Sequence, residues 1–266
     1  MAKSSRKVIL HADDFGFNDD TTAATIACFK GGLLTSATIM AAMPATAPAI
    51  AFAKAHPEFS FGAHLVFVDG EQERPLSDPA QLPTLTTQEG RFLPTQELRK
   101  RALLGKIAVD DVARETEAQL GLLRDSGVPL SHVDSHGHTH KLGPMRRALD
   151  RVLPRFGIKR VRTAQNVFAS PALFRATRWM GKYWDREIRK HWLTTDDFYM
   201  MSSENETLSQ AQLDAMLLGN GVLEAGFHPG SLETWRVAEQ SALQHFRDAC
   251  RERGVLLITW NETGNT

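Results

Sequence analysis

The sequence is short of cysteine, carries no charge excess and has no long apolar run. Of its 266 residues only Cys28 and Cys250 are cysteines, far apart and neither in a CxxC pair, which disfavours both a disulfide framework and a zinc–thiolate centre. Cys28 falls on the apolar side of a predicted helix and reads as a small buried hydrophobe. Lys plus Arg and Asp plus Glu balance at 31 each, so no basic excess advertises nucleic acid or an anionic membrane. A neutral or weakly charged small substrate is the expectation. Behind a positively charged start, the apolar segment Val8-Ile9-Leu10 stops at His11 and two aspartates, too short for a signal peptide or a membrane span. A cytoplasmic protein is expected. No internal repeat is detectable. What remains is ordinary globular composition, 42% hydrophobic and 23% charged, enough for a substantial core. One domain over residues 1–266 fits this length better than two small ones.

What the chain does have is a histidine cluster. Ser131-His132-Val133-Asp134-Ser135-His136-Gly137-His138-Thr139-His140 carries four histidines and a carboxylate within ten residues. Positions 132, 134, 136, 138 and 140 share one parity, so an extended strand would turn all five side chains to one face. Imidazole is a neutral nitrogen donor near pH 7 and the commonest metal ligand, and a row of them points to coordination. The competing reading is an exposed polar loop whose histidines satisfy one another and water. Ligands elsewhere in the chain decide between the two.

Residues 8–12 read as a short buried strand and Asp13-Asp14-Phe15-Gly16-Phe17-Asn18 as the loop leaving its C-terminal end. Adjacent aspartates can converge on one centre only where a strand breaks, which Gly16 and Asn18 favour. Asn18, Asp19 or Asp20 then caps a helix to about Lys30. Further strands are predicted over 34–42, 59–67, 128–133, 158–161, 222–227 and 255–260, and helices over 44–55, 95–104, 110–125, 143–156, 171–192, 208–218 and 237–253. His64 interrupts the apolar run 59–67; alone, such a histidine is more often a hydrogen-bonded core residue than a ligand. Residues 69–94 hold Pro75, Pro79, Pro83 and Gly90 with little periodicity, which predicts a long loop acting as a lid or binding loop. Of Trp179, Tyr183, Trp184 and Trp192, at least two are expected to pack in the core, leaving one or two for a flat apolar ligand.

Repeated strand-then-helix order predicts a parallel sheet, and at this length a closed or nearly closed (β/α) barrel with its site at the C-terminal strand ends. Asp13, Asp14, His64, His136 and His228 all fall at such ends. A divalent ion held by one carboxylate and two imidazoles, with positions open to water, suits hydrolysis. A second aspartate is then free to act as base. His228, from another strand end, suits the role of acid, since imidazole has an ordinary pKa of about 6.5.

Ala12-Asp13-Asp14-Phe15-Gly16, Gly62-Ala63-His64, Asp134-Ser135-His136-Gly137-His138-Thr139-His140 and Phe227-His228-Pro229-Gly230 resemble, in their order and spacing, the motifs of the YdjC/ChbG family of carbohydrate deacetylases. The resemblance implies an α/β fold, a distorted (β/α) TIM-like barrel related to polysaccharide deacetylases, and removal of N-acetyl groups from small amino sugars such as chitooligosaccharides. It implies Asp14, His64 and His136 as metal ligands, Asp13 as the base and His228 as the acid. It sets His138, His140, Asp134 and Phe15 against the substrate or behind the ligands, where orienting partners belong. Zn²⁺ or Mg²⁺ is the expected ion, and Mn²⁺ or Co²⁺ fits the same donors. A homodimer is expected on the same resemblance. The hopanoid biosynthesis-associated HpnK branch shares this framework, so a deacetylase acting on a glycolipid or hopanoid-linked amino sugar is an alternative. So is a catalytically silent sugar-binding barrel, which has no need of both Asp13 and His228.

Overall fold

The central strand β1, Lys7–Phe15, is buried almost throughout, as a parallel strand covered on both faces must be. It anchors a computed structural model that describes residues 6–70, 72–168, 175–201 and 208–264. Parallel neighbours flank it: β2 (Ser36–Ile39), β3 (Ser60–Leu65) and β4 (Leu130–Ser135) on one side, β6 (Val222–Phe227) and β5 (Asp197–Met200) on the other, in the order β4-β3-β2-β1-β6-β5. The short β7 (Leu256–Leu257) pairs with the start of β1.

By itself this order is an open sheet. The segment after β4 closes it: Val161 bridges Val133 of β4, and Val167 bridges Tyr199 of β5, both parallel. Val133 N–H donates to Arg160 O at 3.0 Å, and Val167 N–H donates to Phe198 O at 3.1 Å. The result is a distorted (β/α) barrel with one seam made of single bridges. The strand predicted over 158–161 is therefore a bridging segment, and β5 is a strand that the sequence reading did not predict. The strand predicted over 255–260 shrinks to β7, because Trp260 turns into a short 3₁₀ turn with its ring buried.

Helices α1 (Asp19–Lys30), α2 (Thr46–Ala55), α3 (Thr95–Leu103), α4 (Val109–Asp125), α5 (Gly143–Val152), α6 (Arg175–Arg189), α7 (Gln210–Leu217) and α8 (Thr234–Glu252) connect the strands. Of the three cap candidates Asn18 is the N-cap of α1: its side chain accepts from Thr21 N–H at 2.9 Å while Thr21 Oγ1 accepts from Asn18 N–H at 3.2 Å. Asp20 reaches instead to Ser231 N–H at 2.9 Å, tying α1 to the loop after β6.

Between β1, β3, α1 and α2 lies an aromatic cluster. Phe15 packs on Phe29, Phe52 and Phe61 with ring centroids 6.1–6.4 Å apart. Phe15 is fully buried there, its ring among those of α1, α2 and β3 behind the two aspartates. The cause is local: Asp14 has φ 58°, and this left-handed residue, at a register irregularity between Ala12 and Phe15, reverses the alternation of the strand. Asp13 and Asp14 then face inward together and Phe15 faces the helices. Gly16 follows with φ 96° in a turn where a Cβ would lie 3.2 Å from Thr46 Cα, so only glycine lets α2 approach.

Candidate active site

Register places the first pair. On neighbouring strands β3 and β4, His64 and Asp134 stand opposite each other, and His64 Nδ1–H donates to Asp134 Oδ1 at 2.7 Å. This leaves His64 Nε2 facing Asp14 Oδ1 at 3.4 Å. His136, just past β4, approaches the same oxygen through Nδ1 at 3.0 Å. Asp14, His64 and His136 thus offer three ligand atoms lying within 4.8 Å of one another. Burial alone would lower the His64 pKa, but Asp134, Asp14 and Asp13 outweigh it and lift the imidazole to about 10. Burial likewise works to raise the Asp14 pKa and is overcome by His136, His64 and His228, which hold it well below the ordinary carboxylate range. The pocket favours positive charge beside an anionic Asp14. That electrostatics and the two-imidazole, one-carboxylate donor set both fit a divalent cation.

Asp13 points to the other side of the centre. The guanidinium of Arg162, fully buried, donates to Asp13 Oδ2 and Oδ1 at 2.7 Å each in a bidentate fork, and reaches Asp134 at 2.6 Å and Glu224 at 2.8 Å. Burial would raise the Asp13 pKa; Arg162 and His64 override it and hold the carboxyl well below its usual value. Burial instead wins at Glu224 against Arg162, pushing its pKa up to about 7. His228, the residue after β6, has Nε2 3.9 Å from Asp13 Oδ2, while Nδ1–H donates to Glu239 of α8 at 2.9 Å and the backbone N–H donates to the same oxygen at 2.8 Å. Burial opposes charge on this ring, but Glu239, Asp14 and Asp13 prevail and raise it to about 9.

The remaining histidines part company with the predicted single face. β4 ends at Ser135, and residues 136–141 form a 3₁₀ turn with left-handed backbone at Gly137 and His138. His132 stays in the strand, stacked on Trp260 at 4.5 Å, and lies with His11 and Glu224 in a second, deeper group of donors next to Arg162. His140 is buried, its Nδ1 2.8 Å from Ser135 Oγ. His138 sets its ring edge-on to Phe198 at 5.8 Å. Burial pushes the pKa of His11, His132, His138 and His140 well down. Neither His138 nor His140 joins the three-ligand group.

Several residues at this centre escaped the sequence reading. Thr38 Oγ1 donates to Asp134 Oδ2 at 3.0 Å and lies 3.1 Å from His64 Nδ1. Arg236 of α8 donates to Asp14 Oδ2 at 2.9 Å. Arg162, Glu224 and Glu239 belong with them. Glu224 had a signal, a charge inside the apolar run of β6; the others had none at the level of pattern.

The family model described as YdjC-like protein matches residues 7–258. A carbohydrate deacetylase of Geobacillus stearothermophilus is 30% identical over 274 aligned residues, covering 97% of this chain and 98% of that protein. A carbohydrate deacetylase of Brevibacillus brevis is 37% identical over 134 residues, half of each chain. Among solved structures, that of a proposed cellobiose-phosphate cleavage protein from Enterococcus faecalis V583 superposes with a TM-score of 0.76 at 23% identity, covering 97% of this chain and 98% of the other. At that identity the match shows a shared fold and no more.

Proposed function

From the premise that the chain belongs to the YdjC-like protein family, we propose that it is a metal-dependent carbohydrate deacetylase acting on N-acetyl groups of small amino sugars such as chitooligosaccharides. The observation that carries this reading is the convergence of Asp13, Asp14, His64, His136 and His228, from the ends of four strands, on one centre. Asp14, His64 and His136 would hold the ion, which when bound polarises an acyl oxygen and acidifies water. The protein's own groups divide the proton work. Asp13, kept anionic and aimed by Arg162, takes a proton from the attacking water. His228, kept protonated by Glu239, gives the proton that the departing amine needs as the C–N bond breaks. A barrel that only binds sugar would require neither group so placed.

Acetate release from N,N′-diacetylchitobiose by metal-reconstituted protein tests the reading, with Asp13→Asn as control. Acetate from wild type and none from the variant, with metal bound to both, is the expected result; equal turnover would remove Asp13 as base. A lipid-linked amino sugar is the second reading. It is favoured by Trp179 and Tyr183 of α6, 75% and 55% exposed, whereas Trp192 is buried and Trp184 half-buried as the sequence led one to expect. Free and lipid-linked substrates assayed side by side separate the two.

A further inference from the structure

The loop over residues 69–94 is pinned rather than free. Leu76 N–H and Ser77 N–H donate to Glu115 of α4 at 3.0 and 2.9 Å, and Thr84 N–H donates to Asp111 at 2.9 Å. At its root Arg91 forks onto Asp69 and donates to Gly70 O at 2.7 Å. So anchored, the loop turns one carboxylate inward: Glu73 is only 3% exposed, and its Oε1 lies 3.8 Å from His136 Nε2. Gly70 makes room for it, since a Cβ there would come within 2.3 Å of Glu73 Oε2. The acceptor Oε2 takes Gln72 N–H at 3.0 Å, which leaves Oε1 to the imidazole.

Each imidazole of the three-ligand group therefore has a carboxylate on its far side, hydrogen-bonded at 2.7 Å for His64 and at the ion-pair distance of 3.8 Å for His136. Behind His64 stands Asp134, on the nitrogen away from Asp14; behind His136 stands Glu73, again on the nitrogen away from Asp14. A carboxylate behind a ligating histidine fixes its tautomer and ring orientation and strengthens its free nitrogen as a donor. His136 needs such support more than His64, because its side chain is 31% exposed against 1%. Resting on the metal reading of the site given above, we propose that Glu73 is the positioning residue for His136. The loop thereby supplies part of the metal centre, without itself touching the ion.

The test is titration of the full-length metal-free protein with Co²⁺, followed by visible d–d absorption. Glu73→Gln is expected to weaken Co²⁺ binding about 10- to 100-fold. Gly70→Ala, which crowds the same carboxylate from the backbone side, is expected to weaken it in the same direction, while both metal-free variants melt near the wild type. Wild-type affinity in both variants overturns the inference, and so does a lower melting temperature of the metal-free Glu73→Gln protein with unchanged Co²⁺ affinity, which would assign Glu73 to loop packing alone. Failure of wild type itself to bind Co²⁺ overturns the metal reading of Asp14, His64 and His136, and this inference with it.

Discussion

Two neighbouring titratable groups, Asp13 and His228, are driven in opposite directions, each chiefly by one partner. Arg162 holds Asp13 anionic, and Glu239 lifts His228 to about 9. An acid works only while protonated, so activity is expected to fall as pH rises through the His228 pKa. Glu239→Gln removes the largest of the groups that raise this pKa and leaves the burial that lowers it. With Asp14 and Asp13 still raising it against burial, the alkaline limb of the kcat/KM–pH profile should then move toward lower pH, and an unmoved limb would take the proton-donor role from His228. Such pairs explain what the sequence could and could not tell. Asp13, Asp14, His64, His136 and His228 were legible because polar groups at strand ends break an apolar pattern. Their controllers were not: Glu239 sits eleven residues after His228 on an amphipathic helix, where a glutamate is unremarked, and Arg162 follows a strand that barely forms.

At the scale of elements, the alternation of strand and helix was legible because parallel strands buried on both faces are continuous apolar runs. β5 was not, since Asp197–Met200 is four residues long and gains its burial from neighbours on both sides. Alternation breaks twice, at Asp14, where the adjacent aspartates already called for a break, and at Gly137-His138, where the one-face reading of the histidines fails; both breaks are left-handed residues. The first one places Phe15 in the ring cluster behind β1. Phe15→Ala should accordingly cost about 3–5 kcal/mol of unfolding free energy, measured by urea denaturation. Phe15→Leu, which keeps most of the volume, should leave KM for the acetylated sugar unchanged. A raised KM without lost stability would return Phe15 to the substrate.

For the molecule as a whole the question is what balances the charge enclosed by the barrel. Asp13, Asp14, Asp134 and Glu224 are buried together with two guanidiniums, Arg162 and Arg236. Buried carboxylates without balancing cations are costly; in the metal-free protein His64 and His228, both raised well above the ordinary imidazole range, add the balancing charge, and a divalent ion at Asp14, His64 and His136 would take over that of His64. Folding and metal binding should therefore be linked, because the three ligands come from β1, β3 and the turn after β4 and converge only in the closed barrel. With free ion at 100 times its dissociation constant the folded state gains about 2.7 kcal/mol, a rise in Tm of roughly 5–10 °C for a chain of this size. Thermal melts with added Mn²⁺ or Zn²⁺ should show that rise, and a chelator should reverse it. Asp14→Asn should abolish the rise, while Asp13→Asn, which keeps all three ligands, should retain it. A metal-induced rise that survives in Asp14→Asn would place the ion elsewhere: at His11, His132 and Glu224 if Asp13→Asn retains the rise too, or at His11, Asp13 and Asp134 if Asp13→Asn loses it. The first of these outcomes would assign the metal to holding the barrel together and leave the catalytic centre to Asp13 and His228 alone.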